Sequence, residues 1–282
     1  MNMLQMIFRD SQGRVRWGYK FFTLILIVEL LLPVFLIFAS GVGLAAFMPF
    51  LASKGIIDAQ GMVTAPYQEA VQAVWMIALL SLQNLLLTGL CLLFWRLVMG
   101  KKIRQMGYAG GMACCLRELG IGFLMGAVMI LLASALILLS GAGSIRPSGQ
   151  EDLALWLPWY AILFVLVGFG EETAFRGYAM GTMEQTGNPA LICGFTGLIF
   201  GMAHSANNNF SMMGFLNITL VGVLLAMLVL KTGRLWTSIG FHIAWNFTQG
   251  CIVGFPVSGM GTSSLFTMEL SGSQLLTGGA FG

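Results

Sequence analysis

Gly170-Glu171-Glu172-Thr173-Ala174-Phe175-Arg176-Gly177 lies inside an apolar run, 153–184, that is long enough to cross a bilayer. An ionisable side chain at mid-bilayer costs roughly 2.5–3.5 kcal/mol on insertion scales, so three of them in one helical candidate need a reason. Adjacent carboxylates on a helix point about 100° apart, which lets one face a cavity while the other meets a different partner. Glu172 and Arg176 stand four residues apart, the spacing of an intrahelical ion pair. That leaves Glu171 without a local cation.

Composition sets the surroundings of this stretch. Of 282 residues, 57% are apolar and only 9% charged, with a mean hydropathy of +0.86. A soluble domain carries about 25% charged residues, so the excess apolar surface is expected to face lipid. The fold class expected is all-α, a polytopic membrane bundle. Runs near 21–50, 70–99, 119–141, 153–183, 189–206, 212–230 and 235–253 predict seven crossings. The segment 254–282 is Gly/Ser/Thr-rich and reads as a weak eighth span, a re-entrant piece or a loop, giving seven to eight spans. No cleavable signal peptide is expected, because the first apolar run is too long and lacks a small-residue cleavage site.

Lys and Arg set the orientation. Arg9, Arg14, Arg16 and Lys20 precede the first span, five cations lie in 96–118, and Lys231 and Arg234 flank a short turn. The alternate connections hold only Lys54 and Arg146 beside four acidic residues, which predicts a cytoplasmic N-terminus in a cell membrane. Trp17, Trp95, Trp156, Trp159 and Trp236 fall near span ends, as interfacial anchors do. A net charge of +3, split between loops, does not suggest nucleic acid. The five cysteines form no CxxC pair and read as small packing residues. The chain divides into a cytoplasmic tail (1–20), three spans (21–152), a core (153–250) and a C-terminal segment (251–282).

Both histidines of the chain lie in apolar segments, His204 after Phe200-Gly201-Met202-Ala203 and His242 before Ile243-Ala244-Trp245-Asn246. Asn246 shares a helix face with His242, four residues away. Counted from the turn near Gly187, Glu171 and His204 reach the same depth, roughly 24 Å along their helices at 1.5 Å per residue. From Gly233, His242 and Asn246 lie about 14 and 20 Å deep. A lone intramembrane Glu–Arg pair or His is often structural. Two carboxylates, both imidazoles and an amide at matching depth favour a functional site. Phe200 reads as packing, Glu29 as paired or snorkelling, and Gln83 and Asn84 as interhelical hydrogen-bonders. Asn207-Asn208-Asn209 reads as a loop, and 104–118 as an interfacial helix.

The three patterns, Glu171-Glu172-x-x-x-Arg176, Phe200-x-x-x-His204 and His242-x-x-x-Asn246, resemble the motifs of the CPBP (Abi) intramembrane proteases. That family includes the CAAX prenyl endopeptidases and bacteriocin-related bacterial members. The ending from Pro256 also resembles bacterial members whose tails run further, so the C-terminus is expected to be short. The resemblance implies peptide-bond hydrolysis in a water-accessible membrane cavity. Carried onto this chain, Glu171 becomes the general base, and His204 holds and polarises the attacking water. His242 and Asn246 stabilise the oxyanion, while Glu172 and Arg176 orient the site. The implied partners are membrane lipid and a peptide or protein substrate, such as a prenylated tail or a leader peptide.

No cofactor is assigned, and zinc stays open. Two His and a Glu form a known zinc set, and the family is often labelled metalloprotease. Yet no H-E-x-x-H helix exists here, since Ser205 follows His204 and Ile243 follows His242. The balance leans to a metal-independent glutamate. An aspartyl dyad is not expected, because Asp10, Asp58 and Asp152 all lie outside the predicted spans. A rhomboid-type serine fails as well, because Pro256 stands where the G-x-S-G pattern needs glycine. Two rival readings remain: a non-catalytic immunity or scaffold protein that binds peptide, and a proton-coupled transporter. For the transporter, no inverted repeat is visible.

Overall fold

The computed structural model describes residues 15–58 and 60–282, apart from the side chains of Ile27, Glu29, Leu31, Leu44 and Pro66. The reading of Glu29, and that of the tail over 1–14, therefore lies outside the described residues.

Helix α1 (Trp17–Ser53) runs 37 residues through Pro33 and Pro49 and ends where Gly55 takes a positive φ. After a 3₁₀ turn at Ala65–Tyr67 comes α2 (Gln68–Leu97), with Glu69 in its first turn and Arg96 in its last. Both charges complement the helix dipole. Helix α3 (Met112–Leu139) buries Glu118, Gly122, Gly126, Ile130 and Ser134, a stripe at a spacing of four. The next rod begins as α4 (Leu153–Glu172), widens into a π-helical segment (Thr173–Ala179) and closes with an α turn (Met180–Met183).

Helix α5 (Pro189–Ala203) starts with proline in its first turn, and the Asn188 side chain accepts from the Leu191 N–H at 3.1 Å. Proline there loses no helical hydrogen bond, and Asn is a favoured cap. Helix α6 (Met212–Thr232) is capped by Ser211 and stopped by Gly233 in the left-handed region. Helix α7 (Trp236–Phe247) passes into a second π segment (Thr248–Val253). Outside the bundle, β1 (Gly143–Pro147) pairs antiparallel with β2 (Phe266–Leu270), Gly143 opposite Leu270.

Among the described residues, five helices are long and apolar enough to cross a membrane: Leu32–Ser53, Gln68–Leu97, Met112–Leu139, Leu153–Thr186 and Met212–Thr232. The chain is thus a multi-pass membrane protein. Ile37, Leu124, Leu132, Leu136 and Met227 stand exposed on these helices, where lipid would cover them. The runs expected at 189–206 and 235–253 fold as shorter helices. α5 stops at Ala203 because His204 and the Ser/Asn-rich residues after it turn the chain, and α7 loses α geometry after Phe247. Residues 254–282 hold β2, a four-residue helix (Gln274–Thr277) and a 3₁₀ turn, and no helix of spanning length. The segment expected as an interfacial helix is instead a 3₁₀ turn (Ile103–Met106), a loop and the start of α3.

Small residues bring the helix backbones together. A Cβ at Gly122 or Gly126 would overlap the backbone of Thr237 or Phe241 on α7, and one at Gly240 would overlap Leu119 on α3. Close approach through a small-x-x-x-small face is how membrane helices gain dispersion contact without a hydrophobic driving force. Gly197 and Gly222 do the same between α5 and α6. The α turn Met180–Met183 and helices α5, α6 and α7 also share a core of Met180, Met183, Ile192, Ala226, Leu235 and Ile239, against which Phe169 of α4 packs. These contacts hold α5 and α7, which carry motif residues, and the end of the α4 rod together with α6.

Candidate active site

Glu172 lies at the end of α4 with no solvent exposure, and its Oε1 accepts from Arg176 Nη1 and from His242 Nδ1, each at 2.9 Å. Arg176 uses its second arm, Nη2, to reach the Gly222 carbonyl of α6 at 3.1 Å. Its guanidinium also lies 4.1 Å from the centroid of the Phe200 ring. One buried cation thereby ties α4, α5 and α6 together. The planar fork of Arg suits this work, which the single ammonium of Lys could not reproduce.

Hydrogen-bond chemistry fixes the protons on both imidazoles. The Phe200 carbonyl can only accept, so His204 Nδ1, 2.8 Å away, donates to it. Glu172, paired with Arg176, is likewise an acceptor, so His242 Nδ1 donates to it. Each ring then turns Nε2 toward Glu171. The Oε2 of Glu171 stands 3.9 Å from Nε2 of His204 and 3.7 Å from Nε2 of His242. That oxygen is buried and makes no hydrogen bond of its own. The Phe200 ring backs both imidazoles edge-on, at 4.9 Å from His204 and 6.0 Å from His242.

Glu171, His204, His242 and Asn246 all line one cavity of about 1390 Å³. Its walls also include apolar residues of α1 and α2, among them Phe22, Ile25, Leu80 and Leu87. Glu172 lies behind this wall. The two adjacent carboxylates thus face different partners, one a cavity and one an ion pair. All six candidate residues gather at the junction of α4, α5 and α7.

The spacing of Glu171 and the two imidazoles accommodates a single bridging water. A tetrahedral zinc with ligands at 2.0–2.1 Å sets its ligand atoms about 3.3 Å apart, whereas the two Glu171–imidazole separations are wider. A water at ordinary hydrogen-bond length spans them without strain. Among the described residues, no group of three His, Cys, Asp or Glu side chains is arranged to hold a metal ion.

Several contributors are not visible in the linear sequence. Tyr108, in the loop before α3, hydrogen-bonds the hydroxyl of Thr173, the residue after Glu172. Arg234 clamps Glu118 with Nε at 2.9 Å from Oε2, tying the turn before α7 to α3, and this bond raises the guanidinium's pKa. Asn84 is buried beside Gly170 but donates to Leu80 of its own helix at 2.9 Å. It is therefore not the interhelical hydrogen-bonder expected. Phe200 is more than packing, since it carries the guanidinium. Its position four residues before His204 was the available signal.

A family model described as Type II CAAX prenyl endopeptidase Rce1-like matches residues 153–248. No curated protein and no solved structure matches the chain. The matched residues contain all three motifs and every side chain of the cluster around Glu171. Over residues 153–248 the chain is therefore similar to the type II CAAX prenyl endopeptidase family, the resemblance that its Glu-Glu, Phe-His and His-Asn patterns carry.

Proposed function

We propose that the protein is an intramembrane endopeptidase that hydrolyses a peptide bond with water activated by Glu171. The observation that carries this reading is the buried Oε2 of Glu171, which has no hydrogen-bond partner and faces two imidazole nitrogens at 3.7 and 3.9 Å. A water bound there donates one proton to Glu171 Oε2 and the other to His204 Nε2. Its lone pair then points into the cavity, toward a substrate carbonyl carbon.

Attack transfers a proton from the water to Glu171, and the same carboxyl group passes it to the departing amine. Both directions are general acid–base work. His242, having bound a solvent proton at Nε2 before attack, donates a hydrogen bond to the carbonyl oxygen as it gains charge and keeps that proton when the carbonyl re-forms. Glu172 behind Nδ1 supports the positive ring, as a carboxylate does in hydrolytic triads. The Asn246 amide, one helical turn further along α7, supplies a second donor. Donors held in a low-dielectric site need little reorganisation at the moment of reaction. Glu172 and Arg176 orient the site without meeting substrate.

The substrate proposed is a peptide that reaches the cavity from the membrane, either a prenylated tail or a leader peptide, with the N-terminus of the enzyme in the cytoplasm. The four-part division of the chain, with the protease core at 153–250, belongs to the same proposal. The test is cleavage of quenched fluorescent peptides of both kinds by purified protein in liposomes, before and after exhaustive chelation. Cleavage that survives chelation unchanged is expected. Loss of cleavage that returns on adding zinc would overturn the metal-independent mechanism.

A further inference from the structure

The loop at 99–111 contributes no residue to the chemistry above, yet it reaches the residue next to Glu172. Thr173 donates its hydroxyl proton back to the Phe169 carbonyl, so the Tyr108 hydroxyl must donate to Thr173 Oγ1. Threonine back-bonding of this kind bends a helix. Here it falls where α4 changes to π geometry, between the two glutamates and Arg176. π turns of this sort recur at functional sites.

The same loop also grips α7. The Tyr108 ring packs edge-on against Trp236 at 5.4 Å, and Trp236 Nε1 donates to the Ala109 carbonyl at 2.9 Å. Leu235 N–H donates to the Gly107 carbonyl at 3.0 Å. Tyr108 thus stands between the helix that presents Glu171 and Glu172 and the helix that presents His242 and Asn246. Burial pushes its phenol up to about 12, so it remains a hydrogen-bond donor across ordinary assay pH.

We infer that Tyr108 and Thr173 are positioning residues for the hydrolysis, setting the separation of Glu171 and Glu172 from His242 through the Tyr108–Thr173–Phe169 hydrogen-bond chain on α4 and the ring and backbone contacts that the Tyr108 loop makes with the start of α7. The inference rests on the proposed function and adds two residues outside the three motifs. A misplacement of 1 Å can cost on the order of a hundredfold in rate, and loss of one bond in the chain should cost part of that.

The test uses full-length protein in liposomes and the peptide that wild type cleaves fastest from a panel of prenylated-tail and leader peptides. Tyr108→Phe removes only the hydroxyl, and Thr173→Val removes its acceptor at nearly constant volume. Each should lower kcat about tenfold with KM within about twofold of wild type. The double variant should lose no more than either single one, because both break the same chain. Thr173→Ser, which keeps the hydroxyl, should restore kcat to within about twofold.

A purely structural role would instead lower the folded fraction and leave kcat per folded molecule unchanged. That result, or losses that multiply in the double variant, overturns the inference. If wild type cleaves nothing in the panel, or Glu171→Gln cleaves as fast as wild type, the proposed function fails and this inference with it. If wild type is active and Glu171→Gln is not, while Tyr108→Phe retains full kcat, only the positioning role fails.

Discussion

Replacing Glu171 by glutamine is expected to slow peptide cleavage by about 10²–10⁴-fold, the contribution of a positioned general base. Glutamine keeps the size of the side chain and places an amide on the cavity wall, so the helices should assemble as before. The amide cannot accept the water's proton, and it would present a donor or a weak acceptor to Nε2 of His204 and His242. KM should change little, because the group lost acts on water and not on the peptide. The same variant separates the rival functions. A scaffold or immunity protein would keep its binding phenotype, and no cleavage would have existed to lose. A transporter would show substrate flux driven by a proton gradient in wild type and lose it in the variant. Cleavage by Glu171→Gln at the wild-type rate would remove Glu171 from the mechanism.

The second large effect concerns stability. Glu172 and Arg176 both have fully buried side chains, and the guanidinium also holds the Gly222 carbonyl and the Phe200 ring. Removing one member of a buried pair costs roughly 3–5 kcal/mol, because the charge left behind has lost its compensation. Arg176→Met is therefore expected to destabilise the protein by about that amount, with His242 alone left against Glu172. The combined change Glu172→Gln with Arg176→Met should recover part of the loss, since no unpaired charge remains. Reversible unfolding in mixed detergent provides the measurement. A stability change below about 1 kcal/mol for Arg176→Met would mean that the pair is not what fastens α4 to α5 and α6.

The parts of this molecule that could be read in advance obey local rules. Apolar runs marked the helices, and the turn near Gly187 marked the break between two of them. Glu171 and His204 meet, as their matching depths predict, although a π segment (Thr173–Ala179) and a 3₁₀ turn (Glu184–Thr186) lie between Glu171 and Gly187. What escaped depends on neighbours distant in sequence or on backbone geometry with no periodic signature. The π segments at Thr173–Ala179 and Thr248–Val253 are composed of ordinary helix residues. Tyr108 lies 65 residues from Thr173, and Arg234 lies 116 from Glu118. Nothing in either loop betrays the partner. The strand pair β1–β2 likewise joins segments more than a hundred residues apart. Helix lengths were overestimated where apolar composition outlasted the helix, as at 189–206, because hydropathy does not register a turn at His204.

The most direct test compares membrane peptides from cells expressing wild type with those from cells expressing Glu171→Gln, both grown briefly in ¹⁸O-water. If water held by this glutamate and two imidazoles cuts peptide bonds within the bilayer, some fragments should occur only with wild type, each with ¹⁸O in its new terminal carboxylate. Identical fragment sets from the two cell types would contradict it.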